Sequence, residues 1–166
     1  MTSSAILCHH IPIYLFVRKE EPPVVAIITW KSCYETGNAT FDAEHRALVN
    51  ALNDLHVAMR EKRGDEVLLP LLTTLNTYIR KHFQHEEETM LKYHYPDLEA
   101  HIKAHGSFKN TVKDFQEQVL TGYSGLSPEL YKYLRDWLLN HIVKTDSQFG
   151  NFLREKNIYT CGPPVL

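Results

Sequence analysis

The sequence predicts an all-α protein: an up-down-up-down antiparallel four-helix bundle with an extended N-terminal arm. Four long segments carry apolar residues at spacings of three and four, which is the period of an amphipathic helix. Strand-like patterning is confined to one short apolar stretch near residues 24 to 29. Because short connections between long helices force neighbouring helices to be antiparallel, a bundle is the simplest architecture.

The composition is that of one ordinary globular domain. The chain has 166 residues, of which 43% are hydrophobic, and this is enough apolar material for a core. A formal net charge of -2 with scattered basic residues argues against nucleic acid as a partner. Ten histidines are unusually many for this length and suggest metal ligands. Cys8, Cys33 and Cys161 lie far apart, which predicts free thiols in a reducing compartment and a cytoplasmic location.

Residues 1–27 are predicted to be an N-terminal extension outside the bundle, either disordered or an artefact of start-site choice. The apolar stretch at 11–17 is too short to span a bilayer, and it lacks the basic start and the cleavage site of a secretory signal. We therefore expect no membrane association and no role for His9 and His10.

The helices follow an arm, residues 26–40, that turns at Gly37 and Asn38. A glycine and an aspartate, the turn HYPD, and a loop that closes on Ser-Pro-Glu separate the periodic segments. With these boundaries the predicted helices span residues 41–63, 66–93, 96–121 and 128–156. The bundle domain is predicted over 28–156, followed by a C-terminal tail, 157–166.

The apolar stripe of each helix gives the predicted core. In chain order, the stripes are Leu48, Leu52, Leu55 and Met59; Leu68, Leu71, Leu72, Leu75, Ile79 and Phe83; Ile102, Phe108, Val112, Phe115 and Val119; and Leu130, Leu134, Trp137, Leu138, Ile142 and Phe149.

Two pairs of polar residues interrupt these stripes. His82 and Glu86 are four residues apart, so they share one face of the second helix. His101 and His105 have the same spacing on the third helix. Taken singly, an inward histidine is usually a hydrogen-bonded core residue, and a histidine–glutamate pair is usually a surface ion pair.

The first and fourth helices also place polar residues inward. His45 shares the inward face of Leu48, and His141 follows the core candidate Leu138 by three residues. Asp146 lies five residues beyond His141, about 140° around an ideal helix. We therefore expect Asp146 to reach sideways, or the helix to be locally unwound there.

Together, these residues predict a metal site. Burying five imidazoles and two carboxylates without a cation would cost on the order of several kcal/mol each. Seven ligands are too many for one tetrahedral zinc, and calcium and magnesium prefer oxygen-rich sites. The set suits two iron ions with bridging carboxylates, and zinc remains an adventitious alternative.

The residues around these positions form four motifs: FDAEH, HFQHEE, YPDLEAHIKAH and DWLLNHIVKTD, beginning at residues 41, 82, 95 and 136. They resemble the helix motifs of hemerythrins, specifically the single-domain bacterial type. The segment from Ile28 is similar to the N-terminal arm of that family, and the resemblance extends to about residue 152. It implies an oxo- or hydroxo-bridged non-haem di-iron centre that binds dioxygen reversibly, for storage, transport or delivery.

The resemblance also implies a division of the ligands between the two ions. One iron would be closed and the other would keep one open position, where dioxygen binds. The implied ligands are His101, His105 and His141 for the closed iron, His45 and His82 for the open iron, and Glu86 and Asp146 as bridges.

Reversible binding needs a dry wall beside the open iron, because water and protons would leave the site oxidised. The candidates for this wall are Leu48, Phe83, Trp137 and Leu138. Plain core packing is the alternative role for all four, and both roles are compatible.

The remaining polar residues near the motifs are predicted to lie outside the site. His85, Glu87 and Glu88 are expected to form a solvated flank of the second helix, and His94 belongs to a turn. His56 falls near the face of His45 and is a candidate for a supporting or core position.

Dioxygen is thus the predicted ligand, and no enzymatic activity is expected. A redox enzyme that turns over peroxide or nitric oxide is the alternative, as is a sensor of oxygen or redox state on the same site. The complete ligand set favours binding, because an enzyme would usually need more open positions. The oligomeric state is left open, a monomer being one alternative.

Overall fold

The structure, a computed structural model, describes residues 27–158. The predicted extension and tail therefore lie outside the described residues, except for residues 27, 157 and 158. The same is true of Cys8, Cys161 and the His9–His10 pair.

The prediction of an all-α fold is confirmed, and the described residues contain no strand. Helix α1 packs against α2, α2 packs against α3, and α4 closes the bundle against α1. The backbone stays helical from α4 through a six-residue π-helical segment into α5, so these three form one continuous path. The elements are a 3-10 turn in the arm (Ser32–Tyr34), α1 (Ala39–Arg60), α2 (Gly64–Lys92), α3 (Leu98–Leu120), α4 (Ser127–Asn140), the π segment (His141–Asp146) and α5 (Ser147–Glu155). None of them is long and apolar enough to cross a membrane.

Helix α1 begins two residues before the predicted start because Asn38 caps it. The Asn38 side chain accepts hydrogen bonds from the backbone N–H of Thr40, at 3.0 Å, and of Phe41, at 3.3 Å. These bonds satisfy two donors that the first turn of a helix leaves free. The cap fixes the register of α1, and with it the direction in which His45 points.

The extended arm before α1 is held by specific polar contacts. Asn53 of α1 accepts from the backbone N–H of Ile28 and donates to its carbonyl, both at 3.0 Å. Further along the arm, Asp42 accepts from the backbone and the hydroxyl of Thr36 at 2.8 and 2.9 Å. Arg154 of α5 donates to the Thr36 carbonyl at 2.8 Å. The arm therefore joins the first helix to the last.

Gly150 allows this junction to close. A Cβ atom at Gly150 would overlap the Thr36 carbonyl oxygen, which is backbone and cannot swing away.

We expect Gly150→Ala to lower the free energy of unfolding by about 1–3 kcal/mol through overpacking. Gly106→Ala on α3 is the matched control, since its Cβ would meet nothing within 4 Å. It should gain about 0.5–1 kcal/mol from reduced backbone entropy. Denaturant unfolding of both variants measures this, and equal stabilities would contradict it.

The apolar side chains form two clusters. The larger one fills the bundle and contains most of the predicted core, including Leu48, Phe83 and Leu138. The smaller one consists of Phe41, Met90, Tyr95, Phe149 and Leu153. The predicted ligands lie between the two clusters. The His82 ring is 6.4 Å from the ring of Phe41, which belongs to the smaller cluster, and 5.6 Å from the ring of Phe83, which belongs to the larger one.

The predicted core needs one correction. Ile102 is 43% exposed, because His101 and His105 occupy the inward face of α3 and Ile102 is turned about 100° away. Four other predicted core residues are only partly buried: Met59, Leu71, Val119 and Trp137.

Candidate metal centre

All seven residues predicted as ligands are buried and lie together. None is more than 6% exposed, which is rare for carboxylates and imidazoles that have no compensating charge. The spacing of four on α2 and on α3 brings each pair onto the inward face, as the sequence predicts. The seven are His45 on α1, His82 and Glu86 on α2, His101 and His105 on α3, and His141 and Asp146 at the two ends of the π segment.

One group of donor atoms lies on the α3 side of Glu86. Glu86 Oε2 lies 3.4 Å from His101 Nε2 and 3.3 Å from His105 Nε2. His141 Nε2 is 3.0 Å from His105 Nε2. Donors at right angles on one ion, each about 2.1 Å from it, lie roughly 3 Å apart. These four side chains therefore have the spacing of ligands that share an ion.

The second group uses the other oxygen of the same carboxylate. Glu86 Oε1 lies 3.7 Å from His45 Nε2 and 3.7 Å from His82 Nε2. Asp146 divides its oxygens in the same way: Oδ2 faces His45 Nε2 at 3.1 Å, and Oδ1 faces His141 Nε2 at 3.2 Å. Each carboxylate thus points one oxygen at each group of imidazoles, which is the arrangement of a bridging ligand.

The π segment brings Asp146 under His141. On an ideal α-helix these residues would point in different directions, whereas the i to i+5 repeat of a π-helix returns the chain to nearly the same face. Of the two predicted alternatives, local unwinding is therefore the correct one. The extra residue per turn places a carboxylate where regular helix geometry would not.

The donor set fits a pair of cations. Among the described residues, Glu86 Oε1, both Asp146 oxygens and His45 Nε2 have no hydrogen-bond partner. The 3.1 Å approach of His45 to Asp146 is close in distance but lacks the angle of a hydrogen bond. Buried polar atoms without partners cost on the order of 1–3 kcal/mol each. Cations between the two groups would satisfy all of them.

The pKa shifts of His105 and Asp146 suit metal binding, whereas the pKa shift of Glu86 favours its neutral form in the absence of a cation. Burial, with smaller effects from His101 and His141, lowers the pKa of His105, so its ring is neutral and keeps a lone pair. Burial and the Asp146 carboxylate raise the pKa of Glu86 well above its ordinary value. Burial also acts to raise the pKa of Asp146, but the neighbouring His141 and His45 outweigh it and hold that pKa low. A bound cation would favour the ionised form of both carboxylates.

Two carboxylates that the sequence reading did not identify support the imidazoles. Glu44 Oε2 accepts from His82 Nδ1 at 2.9 Å, and Glu87 Oε1 accepts from His105 Nδ1 at 2.8 Å. Because an ionised carboxylate can only accept, the proton lies on Nδ1 and the Nε2 lone pair faces the site. The prediction that Glu87 forms a solvated flank is therefore wrong: Glu87 is partly buried and holds a predicted ligand.

Glu44 is also hydrogen-bonded to His85, a histidine on the protein surface. Burial acts to raise its pKa, but the hydrogen bonds from His82 and His85 outweigh it and hold the pKa below the ordinary value. His85 Nδ1 lies 2.9 Å from Glu44 Oε1. His85 itself is exposed, as predicted, but its hydrogen bond to Glu44 connects it to a residue that supports His82.

Two other histidines lie apart from the site. His56 packs against Tyr131, with ring centroids 5.3 Å apart. This contact supports the core position, which was one of the two positions predicted for it. His94 adopts a positive φ of 56° in the turn after α2, where it was predicted.

Aromatic rings fix two of the imidazoles. Phe83 stacks on His105 with centroids 3.5 Å apart and planes at 3°, and Trp137 stacks on His141 at 4.2 Å and 16°. Phe83 and Trp137 are themselves neighbours, at 5.8 Å. These stacks restrict rotation of the rings and keep their Nε2 atoms directed at the same point.

A small apolar cavity of about 20 Å³ borders the group that contains His45 and His82. A single water needs roughly 10–15 Å³ by the same kind of measure, so the cavity has room for a molecule the size of dioxygen. All four residues predicted as its wall line it: Leu48, Phe83, Trp137 and Leu138. The lining residues that the prediction missed are Ala51, Leu52, Leu71, Leu75, Ile79, Phe108 and Leu134.

Comparison with known proteins gives a consistent result. The model of the hemerythrin HHE cation-binding domain matches residues 36–153. The chain is 30% identical over 127 residues to a bacteriohemerythrin of Methylococcus capsulatus, covering 76% of this chain and 96% of the relative. It is 32% identical over 120 residues to a myohemerythrin of Theromyzon tessulatum, covering 72% of this chain and 88% of that relative. A crystal structure of a wild-type hemerythrin superimposes with a TM-score of 0.69 at 28% identity, over 76% of this chain and 97% of that one.

Proposed function

The chain belongs to the hemerythrin family, and from that premise we propose that it binds dioxygen reversibly at a di-iron centre, for storage, transport or delivery. The observation that carries this proposal is the way in which Glu86 and Asp146 are shared between two groups of imidazoles. A mononuclear site would need one such group. Two groups joined by two carboxylates are suited to a pair of ions held close together.

We assign the ligands by their grouping. His101, His105 and His141 would hold one iron, and His45 and His82 the other. The second group has one imidazole fewer, and both of its rings border the cavity, whereas of the three imidazoles in the first group only His141 does. This supports the open position on the iron held by His45 and His82. Bound iron would supply the electrons that dioxygen takes up on binding and returns on release.

The wall of the cavity favours binding over turnover. Within residues 27–158, the only titratable side chains that line it are the predicted ligands His45, His82, His141 and Asp146. Peroxide or nitric oxide turnover would need a route for protons, and general acids or bases must lie within hydrogen-bond reach of the reacting group. The leucine side chains instead exclude water. We therefore propose a carrier and not an enzyme.

We propose a cytoplasmic location because the cysteine that the structure describes is a thiol and not part of a disulfide. Among the described residues Cys33 forms no disulfide and is exposed, which suits a thiol in a reducing compartment.

The test combines metal content with optical spectra. Protein purified without added metal should contain two irons per chain. The reduced protein should develop an iron charge-transfer band with dioxygen and lose it under vacuum, over repeated cycles. A band that decays within one cycle while peroxide or nitric oxide is consumed would support the redox enzyme instead. Zinc in place of iron in the purified protein, with no iron uptake on reconstitution, would contradict the proposal.

A further inference from the structure

The two carboxylates outside the ligand set, Glu44 and Glu87, form a matched pair. Each supports one imidazole, and the two imidazoles belong to different predicted ions. Their side chains are 17% and 23% exposed, and their hydrogen bonds to Nδ1 are 2.9 and 2.8 Å long. In geometry and burial they are nearly equivalent.

Their charged surroundings differ. Glu87 pairs with Lys109, whose Nζ lies 3.7 Å from Glu87 Oε1 and 5.3 Å from the Phe83 ring centroid. Within the described part of the chain, Glu44 has no lysine or arginine nitrogen within 4 Å and pairs with His82 and His85. Glu87 thus has a lysine cation beside it, whereas Glu44 has only the two histidines, His82 and the exposed His85, as partners.

A carboxylate that accepts from the far nitrogen of an imidazole has two effects. It fixes the ring orientation and the tautomer that leaves Nε2 free, and it makes the imidazole a stronger donor. Its negative charge also favours the higher-charged state of a nearby metal ion, because opposite charges attract more strongly in a partly buried setting. A cation beside the carboxylate opposes the second effect and leaves the first intact.

Resting on the di-iron function above, we propose that Glu44 and Glu87 are positioning residues, one for each ion, and that only Glu44 also stabilises the oxidised state of its ion. The open iron, held by His45 and His82, would therefore be tuned by a residue that touches neither metal nor dioxygen. Glu87 with Lys109 would position His105 and add little net charge.

The positioning role is tested in metal-free protein by ¹⁵N NMR of the histidine rings. Wild-type protein should show His82 and His105 as Nδ1–H tautomers. Glu44→Ala should abolish this for His82 alone, and Glu87→Ala for His105 alone, while Glu44→Gln should keep it, because the amide oxygen still accepts. Glu88→Gln is the control, because Glu88 lies on α2 beside Glu87, is exposed, and its side chain bonds, among residues 27–158, only to Gln84. Unchanged tautomers in both alanine variants would overturn the proposal.

The charge effect is tested by redox titration of iron-loaded protein. Glu44→Gln should shift the ratio of reduced to oxidised iron at least tenfold toward reduced, which is 59 mV for a one-electron couple. Glu87→Gln should shift it much less, and Lys109→Met should shift it in the opposite direction. Equal shifts in the two glutamine variants would overturn the asymmetry. Iron-free wild-type protein with both tautomers in place would contradict the di-iron function and still support the positioning roles.

Discussion

Glu86→Ala is expected to reduce bound iron from two ions per chain to none. Glu86 faces both groups of imidazoles with its two oxygens, at 3.3 to 3.7 Å, so its loss removes a ligand from each ion and the link between them. Metal analysis after dialysis against a weak chelator measures the loss. Added ferrous iron should also no longer raise the melting temperature, because a ligand stabilises a fold only as far as the folded state binds it.

His101→Ala provides the contrast. His101 lies in one group only, so the iron held by His45 and His82 should remain while the other is lost or weakened. Glu88→Ala, an exposed change on the same helix as Glu86, should keep both ions. Two irons per chain in Glu86→Ala would refute the bridging assignment, and two in His101→Ala would refute the grouping of the imidazoles.

Leu138→Ala is expected to speed autoxidation on the order of tenfold, which corresponds to about 1.4 kcal/mol of barrier. Leu138 is 5% exposed and lines the cavity beside His45 and His82, so its truncation should admit water. Iron content should stay nearly unchanged, since no ligand is removed. The decay of the dioxygen charge-transfer band gives the rate.

Leu130→Ala separates this effect from general loosening. Leu130 is fully buried on the same helix but does not line the cavity. Both variants should lose about 2–5 kcal/mol of unfolding free energy, the usual cost of a buried leucine truncation. Only Leu138→Ala should autoxidise faster. Equal autoxidation in wild type and Leu138→Ala would show that the wall does not protect the iron.

The geometry of the candidate ligands was largely predictable because it is local. Spacings of four on α2 and α3 fix which side chains share a face, whatever the rest of the fold does. The five-residue step from His141 to Asp146 predicted an irregularity, and the π segment is that irregularity. The sequence left two solutions open there, since side-chain reach and backbone unwinding satisfy the same spacing.

The supporting carboxylates were not predictable in the same way. Glu44 and His82 are separated by 38 residues and meet only because α1 and α2 pack at a particular rotation. Glu87 follows a predicted ligand, which on an ideal helix turns it about 100° away from the site, so it looked solvated. It reaches His105 on the neighbouring helix instead. Glu87 directly follows Glu86 in the sequence, but assigning it to the site required the position of α3, which carries His105.

The contact between the arm and α5 has a kinetic consequence. The hydrogen bond from Arg154 to Thr36 joins residues 118 apart in the chain, and closing a loop of that length costs entropy that only the assembled helices offset. This contact should therefore form late, after the folding transition state. Changes to late contacts act on unfolding and spare the folding rate. Gly150→Ala should accordingly accelerate unfolding in stopped-flow experiments and leave refolding at the wild-type speed, so this junction contributes to how long the bundle stays folded.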